Sequence, residues 1–229
     1  DVFTYTLTDG DGDTDTATLT ISLGNDTPTL DVPTTGEAGT SVNEAGLGPR
    51  GAEPAGSGEM ADGIAGNNSN TSETTTGTIN YTQGDAPATV SISGVGPAVN
   101  VTAVGQTFAG AHGTLTITSI SGTAIGYSYT LTDNTVGNST HDDFSVVVTD
   151  TDGDATPAQT LRIDIVDDVP TAADDTDSIA AGDFGPATGN VITDAEANGD
   201  NGADTVGADD AQVSGVASNN MPANSDFVA

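Results

Sequence analysis

A carboxylate-rich strand-turn-strand cassette occurs twice in this chain, and that repetition limits the fold to something modular. Phe3-Thr4-Tyr5-Thr6-Leu7-Thr8-Asp9-Gly10-Asp11-Gly12-Asp13 is answered 141 positions later by Phe144-Ser145-Val146-Val147-Val148-Thr149-Asp150-Thr151-Asp152-Gly153-Asp154. One inserted residue then moves the offset to 142, and Leu19, Ile21, Asp26 and Pro28 match Leu161, Ile163, Asp168 and Pro170. An apolar strand, an acidic turn, a second strand and an Asp-x-Pro junction recur as one unit, which marks a tandem array. The chain divides accordingly. Residues 1–26 read as the closing hairpin of one repeat, 27–168 as a complete repeat, and 169–229 as the opening part of a third.

The charge balance narrows the partners. Against 34 acidic residues stand only Arg50 and Arg162, for a formal net charge of −32. Nucleic acid and anionic membrane surfaces are gripped by Lys and Arg, so both are poor partners for this chain. Divalent cations are natural ones. Two carboxylates about 4 Å apart repel by roughly 4 kcal/mol at an effective dielectric of about 20, and a shared hard cation relieves that repulsion.

The apolar content of 34% with 4% aromatics supports only a thin core. Strict alternation of apolar residues nevertheless separates these segments from a disordered acidic tract. Cysteine is absent, which excludes disulfides, thiolate catalysis and Cys-type zinc sites and leaves cation clips as the available staples. No apolar run approaches the length of a membrane span, and no direct membrane insertion is expected.

Alternation at Phe3, Tyr5, Leu7 and at Ala17, Leu19, Ile21, Leu23 predicts two strands, and the Asp-Gly pairs between them suit a tight hairpin. Residues 36–76 are rich in Gly, Ala, Asn, Ser and Thr and read as a long loop, with one early strand near 40–43. Strand signals then become dense: Ile79 and Tyr81, Val90 and Ile92, Val99 and Val101, Leu115 and Ile117, Ile125 to Leu131, Phe144 to Val148, and Leu161 to Ile165. Seven or so short strands, separated by Gly/Asp/Asn turns and with almost no helical periodicity, predict an all-β antiparallel sandwich. A closed barrel is the alternative that patterning does not separate. From 169 onward large apolar residues are few, and the tail is not expected to fold alone. Residues 1–26 and 169–229 read as complementary parts of one domain type, able to pair between molecules by strand addition.

Asp9, Asp11 and Asp13, and likewise Asp150, Asp152 and Asp154, place carboxylates at i, i+2 and i+4. In a turn these converge and offer the several hard oxygens that Ca²⁺ takes. The spacing opens like an EF-hand loop, but the twelfth position holds Thr20 or Leu161 instead of Glu and the flanks are strands, so it is not one. A solvated Asp-Gly turn is the bland alternative. A second acidic cluster falls at each unit boundary, with Asn25 and Asp26 before Pro28 and Asp167 and Asp168 before Pro170. Proline keeps such a linker extended, so its carboxylates can reach both neighbouring units. Glu44 resembles the early glutamate recruited by junction calcium sites. Asp174 and Asp175 are further candidates, as are the more irregular Asp177, Asp194, Glu196, Asp200, Asp204, Asp209 and Asp210. His112 and His141 lack a nucleophile or a metal-binding partner set, and a non-enzymatic chain is expected.

Together these motifs resemble the repeat regions of giant bacterial RTX-type adhesins and biofilm-associated proteins exported by type I secretion. The cassette from Phe3 to Thr14 with 17–21 is similar to the end of a VCBS-type repeat, and 172–191 with Gly189-Asn190-Val191-Ile192 to the beginning of one. The resemblance implies tandem Ig- or cadherin-like sandwiches, Ca²⁺ at turns and joints, and an extracellular extender role at the cell surface in adhesion or biofilm formation. Its partners would be neighbouring repeats of the same chain, with glycans of a host or matrix, or self-association, as the alternatives. In the ligand-binding alternative, the 36–76 loop and Asp133-Asn134 would form the recognition surface.

Overall fold

The structure, a computed structural model, describes residues 1–59, 70–176, 181–182, 189–193 and 202–216. Strands β1 (Val2–Thr8) and β2 (Thr14–Thr20) form a separate antiparallel hairpin. The remaining strands are β3 (Thr29–Asp31), β4 (Ser41–Asn43), β5 (Thr74–Thr82), β6 (Thr89–Ser93), β7 (Val99–Asn100), β8 (Thr107–Ala109), β9 (Gly113–Ile120), β10 (Ala124–Leu131), β11 (Thr140–Thr149) and β12 (Gln159–Val166). They build two five-stranded sheets, ordered β3-β5-β10-β9-β8 and β4-β12-β11-β6-β7. The only helical elements among the described residues are two 3-10 turns, Glu44–Gly46 and Ser57–Glu59.

Period-2 patterning is the cause. Along β11 the inward positions Asp142, Phe144, Val146 and Val148 are all buried, and along β12 the same holds for Leu161, Ile163 and Ile165. Ile79 and Tyr81 of β5, Leu115 and Ile117 of β9, and Tyr127, Tyr129 and Leu131 of β10 answer from the opposing sheet. One core therefore lies between two sheets, which resolves the sandwich-or-barrel ambiguity in favour of a sandwich-like arrangement. Burial raises the phenol of Tyr127 to about 12. Its hydroxyl donates to the Gly39 carbonyl at 3.1 Å, so the polar tip is satisfied inside the core.

Three details depart from the sequence expectation. β3 and β8 add short edge strands whose three residues are too few to show alternation. β4 pairs with β12 in parallel, whereas the rest of the sandwich is antiparallel. A hairpin would force the antiparallel sense, but these strands are separated by most of the unit, so either direction is open. Finally, Ala208 is fully buried in the same core cluster, so part of the tail packs on the central unit.

Candidate functional site

Strand register decides which acids meet. β6 and β11 are antiparallel with Thr89 opposite Thr149, so the residues just before β6 lie beside those just after β11. That places Asp85 next to the acidic turn, and carboxylate oxygens of Asp85, Asp150 and Asp152 come within 4.8 Å of one another. The turn is laced from within: Asp150 Oδ1 accepts the Asp154 N–H at 2.9 Å, and Gly153 takes φ of 101°, which a side chain would resist. It is also laced to the facing loop, where Thr151 N–H donates to the Asp85 carbonyl at 3.1 Å and Thr151 Oγ1 to the Pro87 carbonyl at 3.0 Å.

The incoming linker closes over this end. Asn25 Nδ2 donates to Asp154 Oδ2 at 2.8 Å, and the Asp26 carbonyl accepts the Asp85 N–H at 3.1 Å. Asp154, Asn25 and Asp26 thus frame the three-carboxylate group through hydrogen bonds instead of joining it. Burial would push the Asp150 carboxyl up, but hydrogen bonds from Asp152 and from the backbone of Asp85, Asp154 and Gly153 outweigh it and hold it low. Asp152 moves the other way: it shares a hydrogen bond with Asp150 and retains its proton to higher pH than usual. Such a split is how two adjacent acids relieve like-charge repulsion without a cation.

A second group forms at the opposite end of β12, roughly 25 Å away for eight residues at about 3.3 Å each. Parallel register sets Val166 opposite Asn43, so Glu44 follows beside Asp167. Asp209, from the tail, completes the set within the same 4.8 Å limit. Glu44 is fully buried, and that burial raises its carboxyl above the usual range. Thr135 holds one oxygen, donating from N–H at 2.7 Å and from Oγ1 at 2.8 Å. The Asp168 N–H donates to the other Glu44 oxygen at 3.4 Å, while the Asp168 carboxylate is engaged by Ser57, which donates to both its oxygens, from N–H at 2.7 Å and from Oγ at 2.5 Å.

The tail is fastened at this end. Asn134 Nδ2 donates to Asp209 Oδ1 at 2.9 Å, and Arg50, itself 3.3 Å from Asp133, donates from Nη2 to the Ala208 carbonyl at 2.8 Å. Asp133 and Asn134 therefore belong to the joint between the central unit and the tail.

Asp9, Asp11 and Asp13 make a third group at the tip of the β1-β2 hairpin, fully exposed. Asp9 Oδ1 accepts the N–H groups of Asp11, Gly12 and Asp13 at 3.3, 3.1 and 2.9 Å. Hydrogen bonding, first from the Asp11 side chain, holds the Asp9 carboxyl below its ordinary value. Asp174 and Asp175 join none of these groups among the described residues, while Asp177, Asp194, Glu196 and Asp200 lie outside them. His141 Nε2 lies 3.7 Å from Asp143, and His112 contributes its backbone N–H to Asp142.

Sequence reasoning missed Asp85 and gave Asp209 no more weight than its irregular neighbours. Asp85 was open to discovery from Gly84-Asp85-Ala86-Pro87, a turn signal at the same end as the Asp150 turn once β6 and β11 are paired. Nothing in the spacing of Asp209 points to Glu44, because that contact follows from how the tail packs, with Ala208 in the core and Asn134 and Arg50 bonded to Asp209 and Ala208. What the arrangement can do chemically is gather three carboxylates at each end of the sandwich, the donor type preferred by hard cations. No family model, no curated protein and no solved structure matches this chain.

Proposed function

We propose that this chain is a calcium-stiffened spacer segment of an extracellular, surface-anchored protein, with a mechanical role and no catalytic one. One observation carries the reading: carboxylate triads sit at both ends of the central sandwich, at the two places where the chain enters and leaves it. Each triad draws on more than one segment. Asp85 joins the Asp150 turn beneath the Asn25-Asp26 linker, and Glu44 and Asp167 of the sandwich meet Asp209 of the tail. A cation at either position would tie a linker to a sheet edge and remove the like-charge repulsion that loosens the joint. Calcium is favoured over transition metals because the donors are oxygens only and the described clusters contain neither histidine nor cysteine.

The experiment is thermal unfolding and solution scattering with millimolar calcium and with EDTA. The reading expects a higher melting temperature and a longer, stiffer particle in calcium. Identical melting and identical scattering profiles in the two buffers would refute it.

A further inference from the structure

Charge is spread very unevenly along this chain. All 34 acidic residues and both arginines fall outside 86–132, the span that builds β6, β7, β8, β9 and β10. β5 carries none either. Counted inward from β8, the first charged strand of that sheet is therefore β3 with Asp31, at the far edge, and counted inward from β7 the first is β11. β7 and β8 are themselves the last strands of their sheets, and their edges lie together. Val95, between β6 and β7, donates its N–H to the Ala109 carbonyl of β8 at 2.9 Å, and Gln106, just before β8, donates from Nε2 to the Asn100 carbonyl of β7 at 2.8 Å. β8 has three residues and spans roughly 10 Å, so both ties fall on one rim of the sandwich.

Apolar side chains are displayed along this rim. Val95 is 69% exposed and Val104 62%. Val104 stands at the corner of a turn closed by the Gln106 N–H to the Ala103 carbonyl at 3.3 Å, in which Gly105 takes φ of 84°, and turn corners ordinarily carry polar residues. Val99 shares a face with the fully buried Ile92, yet it is 48% exposed because no strand lies beyond β7. Sheet edges in water are commonly guarded by charge. Here the guard is Gln106, whose Oε1 also accepts the Thr102 N–H at 2.8 Å, so one side chain occupies a carbonyl and an N–H of the β7 edge. That works against strand addition and leaves the valines as the surface open to a partner. Phe108, Tyr127 and Tyr129, the aromatic residues of the span, are all buried, so the rim has no ring on which a sugar could stack.

We propose that two copies of this chain associate side by side through the β7-β8 rim, with Val95, Val99 and Val104 of one copy against the same residues of the other. Repulsion selects both the partner and the place. A chain of net charge −32 repels its own kind, and it does so least where the facing strands hold no carboxylate. The same surface serves on both copies, so the contact is isologous and closes at a dimer. Two short edge strands with their connections form a small interface, of the weak class below about 1,200 Å². The inference goes beyond the spacer reading and requires no ion.

Sedimentation velocity of the full chain, in calcium and in EDTA and at concentrations up to about 1 mM, tests it. A dimer should form in both buffers. It should strengthen as salt rises from about 0.01 M to about 1 M, over which the screening length falls from roughly 30 Å to roughly 3 Å. Val99→Asp with Val104→Asp should weaken association by about tenfold or more without changing the melting temperature, and Val95→Asp should act in the same direction alone. Val136→Asp, at a residue 97% exposed and outside the span, should leave the dimer intact. A monomer at every concentration and salt would overturn the proposal. So would association that persists in the double variant, which would lie on another surface, or association confined to calcium, which would be carboxylates bridged by cations. Equal melting in the two buffers would count against the spacer reading and leave this dimer untouched.

Discussion

Tyr129 donates its hydroxyl to Asp142 Oδ2 at 2.7 Å inside the sandwich, and the same carboxylate accepts the backbone N–H groups of Ala111, His112 and Gly113 at 2.9 to 3.2 Å. Asp142 is 2% exposed, so it is a buried acid whose ligands are protein donors, and it anchors the β8-β9 turn to β11. Burial, together with this bond to Asp142, raises the Tyr129 phenol and keeps it a donor. Replacing Asp142 by Ala would take the acceptor from four donors, two of which, the Gly113 N–H and the Tyr129 hydroxyl, make buried bonds to it. The expected cost is about 3–5 kcal/mol, read by urea unfolding, and it should be the same in calcium and in EDTA because no cation is involved.

The cation sites behave differently. A ligand at one hundred times its dissociation constant stabilises by about 2.7 kcal/mol, which for a chain of this size corresponds to roughly 5–10 °C. Asp150→Asn and Asp167→Asn each remove one carboxylate from one triad. Each should reduce the calcium-induced rise in melting temperature, and the double variant should nearly abolish it, whereas Asp142→Ala should leave the rise intact. Differential scanning calorimetry against free calcium gives the comparison.

Local patterning made the sandwich readable, and its limits explain what was not. Residues such as Phe144, Val146 and Val148 alternate over a long strand, so their face is fixed by period alone. β3 at Thr29–Asp31 has too few residues for that signal, and the parallel sense of β4 depends on a contact across the whole unit. The same division runs through the sites. Asp150 and Asp152 are neighbours in sequence and were visible as a cluster. Their partner Asp85 is supplied by the β6-β11 register, and Asp209 meets Glu44 through the packing of the tail, in which Ala208 enters the core. Asp142 shows the converse: it stands between the polar His141 and Asp143, yet strand alternation turns it inward with Phe144.

Asp143, on the outer face of β11, tests the acid limb of stability. Arg162 Nε and Nη2 donate to its two oxygens at 2.9 Å each, and these bonds lower its carboxyl below the ordinary value. A depressed carboxylate contributes stability that is fully present above its unfolded pKa, roughly 4, and is lost as pH falls through the lower folded value. Both side chains are about two-fifths exposed, so solvent screening limits the pair to about 1 kcal/mol or less. Asp143→Asn should flatten the loss of stability below about pH 4 and cost little at neutral pH. Melting curves from about pH 2 to about pH 7, which span carboxylate titration, would check both halves.

Arg50 offers the most local test, because it is where the tail is held to the sandwich. Its guanidinium donates to the Ala208 carbonyl at 2.8 Å and to the Gly48 carbonyl at 2.9 Å, with Asp133 at 3.3 Å and Glu53 at 3.5 Å completing its surroundings. Losing it removes the hydrogen bond that fixes the carbonyl next to Asp209, and with it part of the geometry that brings Asp209 to Glu44 and Asp167. Arg50→Met keeps much of the stem packing and deletes the donors, so the core around Ala208 should survive. Hydrogen exchange should then quicken by about tenfold or more in 202–216, equivalent to roughly 1.4 kcal/mol of local opening, while amides of β11 and β12 keep their protection. Equal loss of protection throughout both sheets would mean that Arg50 supports the whole sandwich, and that the tail is not a separately opening element.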